Sequence, residues 1–327
     1  MPSASALAHP NIAFIKYWGN RDDSLRLPAN GSISMNLDGL FTRTRVTWQQ
    51  AQVAVEDSLS LNSAPIHGKA LQRVSEFLDL VRQTAQMDLR AEVVSEANFP
   101  PGTGIASSAS AFAALALAAS RAAGLDLDEA NLSRLARRGS GSACRSIPAG
   151  FVEWFAADSD LDSVARSIAA PDHWQLTDVI AVISTEHKST GSTEGHAAAA
   201  SSPLQAARLK DTPRRLEICR RAILERDFHS LAEIVEADSN LMHAIMQTCS
   251  TPLFYWQPGT LEIMHLIRQA RAEGLPACTT IDAGPNVHVI CEPGAVDEVL
   301  RLLGDLPGIL DLRVAHVGGA AHLVQVE

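Results

Sequence analysis

Residues 100–118 read PPGTGIASSASAFAALALA, and the reading of this stretch decides the fold. Gly102 and Gly104 allow backbone conformations closed to other residues and let a ligand approach closely. Ser107 and Ser108 follow where an alanine-rich run begins, and the pattern predicts a helix from Ser107 to Arg121, stopped near Gly124. A helix start presents unpaired N–H groups and the positive end of its dipole, which suits an anion. The serine hydroxyls add donors, and Ser108 is a candidate ligand for magnesium. No lysine follows the glycines, so this is not the G-x-x-x-x-G-K-[ST] nucleotide loop. A glycine- and serine-rich turn at a helix start also serves as plain structure. A site therefore needs a second constellation.

Residues 136–154, ARRGSGSACRSIPAGFVEW, supply one. Ser140 and Ser142 alternate with glycines in a turn rich in small donors, and Arg145 follows with a planar fork suited to a carboxylate or phosphate. Residues 279–290, TTIDAGPNVHVI, set Asp282 at the end of a β-like run beside a glycine turn. A carboxylate held there is well placed as a general base, although an Asx-turn before glycine is common. Residues 187–196, HKSTGSTEGH, read as another small-donor loop, with Lys188 in it. Near the start, residues 11–34, NIAFIKYWGNRDDSLRLPANGSIS, place Lys16 between an apolar run and two large aromatics.

Composition bounds what these residues serve. The chain has 327 residues, of which 46% are hydrophobic and 20% charged, enough for a sizeable core. A net charge of −10 argues against a nucleic-acid binder, but a local basic pocket can coexist with an acidic exterior. The five cysteines form no C-x-x-C pair, so neither a disulfide framework nor a zinc site is indicated. No charged segment followed by an apolar one opens the chain, and the longest apolar run falls short of the ~20 residues that span a bilayer. The expectation is a cytoplasmic protein with no membrane partner.

Strands are expected at NIAFIKYW, on both sides of the Asp38–Gly39 turn, and at LRAEVVSEANF, with a helix over 68–86. Asp126 or Asp128 caps a helix ending at Gly139. In the second half, helices are expected at 203–226, 227–249 and 259–273, with a further helix at GAVDEVLRLLG. Strands are expected at LTDVIAVIS, ACTTID, NVHVICE and RVAHV. The element pattern changes near residue 180, which divides the chain into 1–180 and 181–327 around a shared cleft, in a mixed α/β or α+β fold.

Six segments, in order, resemble the mevalonate diphosphate decarboxylase family of the GHMP small-molecule kinases: NIAFIKYWGNRD…LPANGSIS, NFPPGTGIASSASAFAALA, RRGSGSACRSIPAGFVEW, STGST, DSNLMHA and DAGPNVHVI. The resemblance implies a two-lobed GHMP-kinase-type fold with a deep cleft, commonly dimeric. It implies an ATP- and magnesium-dependent reaction that phosphorylates the 3-hydroxyl of a 5-phosphorylated mevalonate, then expels phosphate and carbon dioxide. Asp282 matches the catalytic aspartate that orients or deprotonates that hydroxyl. Lys16 matches the lysine beside the departing phosphate, Arg145 the arginine on the substrate carboxylate, and Ser108 the loop serine near the transferred phosphate. Pro101, Gly102, Gly104, Ile105, Ala106, Ser107 and Lys188 fall on the ATP side. Asn11, Tyr17, Asn20, Ser140, Gly141, Ser142 and Ser192 fall on the substrate side.

Two positions depart from the family. Its pattern is K-Y-W-G-K, and here Asn20 replaces the second lysine, which in relatives reaches the outer phosphates. Thr193 and Glu194 stand where some relatives carry an arginine. Both changes weaken recognition of a second phosphate, and losing a charge-assisted bond costs ~1.5–3 kcal/mol. The expectation from these positions is mevalonate 5-phosphate as substrate and isopentenyl phosphate as product, with the 5-diphosphate as the alternative. Arg21, Arg26 or Lys188 could compensate. A 3-kinase that stops before decarboxylation would not need Arg145 and Asp282 together, and a dead binding module should have lost Asp282 or the loop serines.

Overall fold

A computed structural model describes residues 2–50, 54–99, 107–186 and 191–325, with the side chains of Ser192 and Thr193 excepted. Two sheets organise them. The first runs, in order, 322–323, Ser3–Ala8, Thr42–Gln49, Arg90–Ala97, Ser58–Leu61 and Ala64–Ile66. The second runs Ala165–Ala169, Phe151–Trp154, Ser32–Asp38, Asp311–Val317, Thr177–Val182, Val287–Cys291 and Ala277–Thr280, with Asn11–Ile15 also paired to Ser32–Asp38. Strands from both ends of the chain thus share the second sheet. The Asp38–Gly39 turn passes the backbone from this sheet to the first.

Alternation explains the first sheet. Along Thr42–Gln49 every second residue is buried, as a strand with one face on a core requires. That face meets the helix Ser107–Ala122, whose alanines let it lie close to the strands. The Trp48 indole donates to the Ala119 carbonyl at 3.2 Å, so its polar atom is satisfied inside the apolar layer. Strand Asn11–Ile15 is buried at every residue because helices Gln205–Glu225 and Phe228–Thr248 cover it.

The expected helices are present as Lys69–Ala85, Ser107–Ala122, Glu129–Gly139, Gln205–Glu225, Phe228–Thr248, Pro258–Ala272 and Val296–Gly304. Asp128, not Asp126, is the cap, accepting from the Asn131 amide at 2.8 Å. One expectation is corrected. The part of HKSTGSTEGH from Ser192 onward is not loop but the start of helix Ser192–Ala198, which the alanines after His196 extend. Gly195 in that helix lies against Trp18, and an added Cβ would come within 2.6 Å of the indole ring. A glycine is what lets this helix close over the KYWG segment.

Candidate active site

Lys16 leaves the end of strand Asn11–Ile15, and Asp282 follows strand Ala277–Thr280 by two residues. Their side chains meet, Nζ to Oδ1, at 2.5 Å. The lysine side chain is 1% exposed and the aspartate 25%, so the pair has one open flank. Burial alone would raise the Asp282 carboxyl. The Lys16 ammonium, with His288 and Arg145 farther out, outweighs burial and holds it below its ordinary 3.8. Asp282 is therefore a carboxylate at neutral pH.

Helix Phe228–Thr248 positions both partners. The Asp238 carboxylate accepts from the Lys16 backbone amide at 2.6 Å and from Arg215 Nε at 2.7 Å. One residue on, Ser239 Oγ accepts from the Ile281 amide at 3.0 Å. Four residues further, His243 Nε2 reaches the Ile281 carbonyl at 3.3 Å. Burial pushes the His243 imidazole down to about 4, so it is neutral and Nε2 carries the proton donated to that carbonyl. Residue 281 is thus held on both its amide and its carbonyl, directly before Asp282.

Arg145 enters from the short 3₁₀ turn Gly141–Ser146 and is 3% exposed. Its Nε and Nη2 donate to Asn11 Oδ1 at 3.3 and 3.1 Å, and Nη1 donates to Ser32 Oγ at 2.6 Å. Asn11 is oriented in turn by donating to the Ser142 carbonyl at 3.1 Å and to Ser146 Oγ at 2.8 Å. Among the described residues no carboxylate forms an ion pair with Arg145. The guanidinium lies within electrostatic reach of Asp282. A buried cation held by neutral acceptors is poised for an anion from outside.

Tyr17 packs under this turn. A Cβ at Gly141 would fall 2.5 Å from the Tyr17 ring, so glycine is what allows the contact. The Tyr17 hydroxyl donates to Asn20 Oδ1, and Asn20 Nδ2 donates to Asp23 at 2.7 Å. Ser108 Oγ lies 3.0 Å from Ser140 Oγ, joining the helix start to the arginine turn. Beside Ser107 and Ser108 a mainly apolar cavity of about 300 Å³ is lined by Leu59, Ile66, Ala70 and Phe112. Pro101, Gly102, Gly104, Ile105, Ala106 and Lys188 lie outside the described residues, as does the side chain of Ser192.

Comparison with known proteins bears on this geometry. The family model for the diphosphomevalonate decarboxylase-like N-terminal domain matches residues 8–165, and that for the mevalonate 5-diphosphate decarboxylase C-terminal domain matches 178–311. The chain belongs to the diphosphomevalonate decarboxylase family. The diphosphomevalonate decarboxylase of Candida albicans is 37% identical over 99% of this chain and 96% of its own length. The human enzyme is 36% identical over 91% of this chain and 79% of its own length. Among solved structures, MDDEF in complex with MVAPP, AMPPCP and magnesium is 40% identical, covers 99% of each chain and superposes with a TM-score of 0.93. The mevalonate diphosphate decarboxylase of Staphylococcus aureus is 34% identical, covers 99% of this chain and 98% of its own, and also scores 0.93. The fold is accordingly the GHMP-kinase-like α/β type, and the chain is an enzyme.

The expectation of a 5-phosphate substrate fares less well, since these relatives are diphosphomevalonate decarboxylases. Arg21 is no substitute for a lysine at position 20. It is turned to Asp158 at 2.5 Å and to the Ala157 carbonyl. Sequence reasoning also missed a layer of residues. The DSNLMHA segment carries Asp238, Ser239 and His243, which aim Lys16 and Asp282. The spacing of Ser239 and His243, four apart on a helix, was the available signal. His196 was passed over too. Its ring stacks on Tyr17 at 4.1 Å, and its Nδ1 accepts from the Gly19 amide at 2.9 Å.

Proposed function

We propose that the enzyme carries out the ATP- and magnesium-dependent decarboxylation of mevalonate 5-diphosphate, giving isopentenyl diphosphate, ADP, phosphate and carbon dioxide. One observation carries the reading. A carboxylate kept ionised by a buried lysine lies within electrostatic reach of an arginine that, among the described residues, no carboxylate neutralises, beside the helix start that carries Ser107 and Ser108. Asp282 accepts the proton of the 3-hydroxyl as that oxygen attacks the outermost phosphorus of ATP. Lys16 keeps the carboxylate charged and offers its ammonium to the growing negative charge. Arg145, steered by Asn11, grips the substrate carboxylate and aligns the bond that breaks. As phosphate leaves it takes the proton back from Asp282, and the restored carboxylate stabilises the electron-poor carbon 3.

The apolar cavity beside Ser107 and Ser108 fits the adenine of ATP, and Ser108 with Ser140 offers oxygens to phosphate and magnesium. When bound, magnesium neutralises charge on the transferring phosphoryl group. In this reading residues 1–180 carry the phosphate loop, 181–327 carry Asp282, and the enzyme works as a cytoplasmic homodimer. Size-exclusion chromatography with light scattering tests the last point.

A second reading, mevalonate 5-phosphate as substrate, is favoured by Asn20. Its amide is uncharged and committed to Tyr17 and Asp23. Steady-state kinetics on both substrates decide between them. The diphosphate reading expects kcat/KM to favour the diphosphate by about tenfold or more, one charge-assisted bond's worth. The reverse preference would establish the monophosphate reading.

A further inference from the structure

The end of helix Glu129–Gly139 carries two arginines from elsewhere in the chain. Arg26 Nε donates to the Arg138 carbonyl at 3.0 Å, and Arg73 Nη2 donates to the next carbonyl, that of Gly139, at 2.7 Å. Residue 140, the next along, is the serine that meets Ser108. Two guanidinium groups are therefore tied to consecutive carbonyls at the edge of the site, one from the segment after Asn20 and one from helix Lys69–Ala85. We propose that Arg26, set beside Arg73, is this enzyme's cation for the phosphate end of its phosphorylated substrate. The inference rests on the reading that the substrate is a 5-phosphorylated mevalonate.

Three features support it. Among the described residues neither arginine forms an ion pair with a carboxylate, although most arginines of this acidic chain do. Arg26 makes no hydrogen bond there through its terminal amino groups, and Arg73 Nε is buried without a partner. Burial, and then Arg26, push the Arg73 guanidinium down to about 10, as expected of two cations lacking a common counter-anion. Second, Arg26 holds a left-handed backbone conformation, φ +50°, at a non-glycine residue. Such a conformation is disfavoured by roughly 1–2 kcal/mol, and strain of this kind collects at ligand sites. Third, Arg26 is the foremost charged influence on both Tyr17 and His196, so it faces the KYWG segment rather than solvent alone. A helix C-terminus attracts cations by itself, and the turn between Asn20–Asp22 and Leu27–Pro28 accounts for the backbone at Arg26, but neither explains the unused donors. A phosphate group, with several acceptor oxygens and up to two charges, answers both arginines.

The test compares Arg26→Gln and Arg26→Lys with the unaltered enzyme, in kinetics on mevalonate 5-diphosphate and 5-phosphate and in calorimetric binding of inorganic pyrophosphate. The expected result is a KM for the preferred substrate raised about 10- to 150-fold in Arg26→Gln, with kcat changed little. Arg26→Lys should recover most of the loss, and the KM for ATP should stay put. Pyrophosphate binding should weaken in parallel. A KM within about twofold of the unaltered value on both substrates overturns the proposal. So does a rise confined to ATP, or a lowered melting temperature with no recovery in Arg26→Lys. If neither mevalonate phosphate is turned over yet pyrophosphate binding still depends on Arg26, the subsite stands and the reading of the reaction fails.

Discussion

The Lys16 ammonium and the Asp282 carboxylate meet at 2.5 Å although 266 positions separate them in the chain. Lysine is what keeps the buried carboxylate charged. In Lys16→Met burial is opposed only by the more distant His288 and Arg145, so the Asp282 pKa moves up. The acid limb of kcat/KM, expected below the ordinary aspartate range in the unaltered enzyme, should move toward neutral pH. Turnover should fall by about 10²–10⁴, the range for a general acid–base group. A pH–rate profile on both proteins checks the shift.

Asp238 links helix Phe228–Thr248 to Lys16 and to Arg215, and both side chains of the ion pair are essentially unexposed. Asp238→Ala leaves the guanidinium of Arg215 with only the partly exposed Asp211 as its acid. Breaking a buried pair this way costs about 3–5 kcal/mol. Urea unfolding should show the loss as a lower midpoint at unchanged slope.

Arg145 depends on its forked shape, since Nε and Nη2 share Asn11 while Nη1 holds Ser32. Lysine keeps the charge and loses the fork. Arg145→Lys should lower kcat/KM by about 10- to 150-fold, the worth of one charge-assisted bond. Asn11→Ala, which removes the steering acceptor, should give a smaller loss of the same sign. Initial rates at low substrate measure both.

His243 predicts a pH dependence of stability. Its folded-state pKa of about 4 lies below its ordinary 6.5. Between these values the unfolded chain binds the proton and the folded one does not. Stability should therefore fall as pH drops from 6.5 toward 4, by about 1.4 kcal/mol per unit from this residue, and level off below. His243→Asn, which cannot titrate, should flatten that slope in denaturant titrations.

Much of this was legible in the sequence, for physical reasons. The alanine run after Ser107 announced a helix that packs closely, and Asp282 at a strand end beside glycine announced a base. Local pattern carries such features because they depend on neighbours in the chain. The partners of Lys16 were not legible. Asp238 and Asp282 reach it from 222 and 266 residues away, and periodicity holds no information about which helix covers which strand. The helix Ser192–Ala198 was misread as loop because its first residues are small and polar, and Trp18, which closes on Gly195, lies far upstream. Arg26 was one of three cations, with Arg21 and Lys188, that could compensate for Asn20, and only two neighbouring carbonyls set it beside Arg73.

The most direct test of the account is Asp282→Asn, assayed for ADP and carbon dioxide released from mevalonate 5-diphosphate and ATP, with substrate binding measured separately. Asparagine keeps the shape and removes the base. The account predicts that binding survives while both products fall together by about 10²-fold or more. Release of either product within about tenfold of the unaltered enzyme would contradict it.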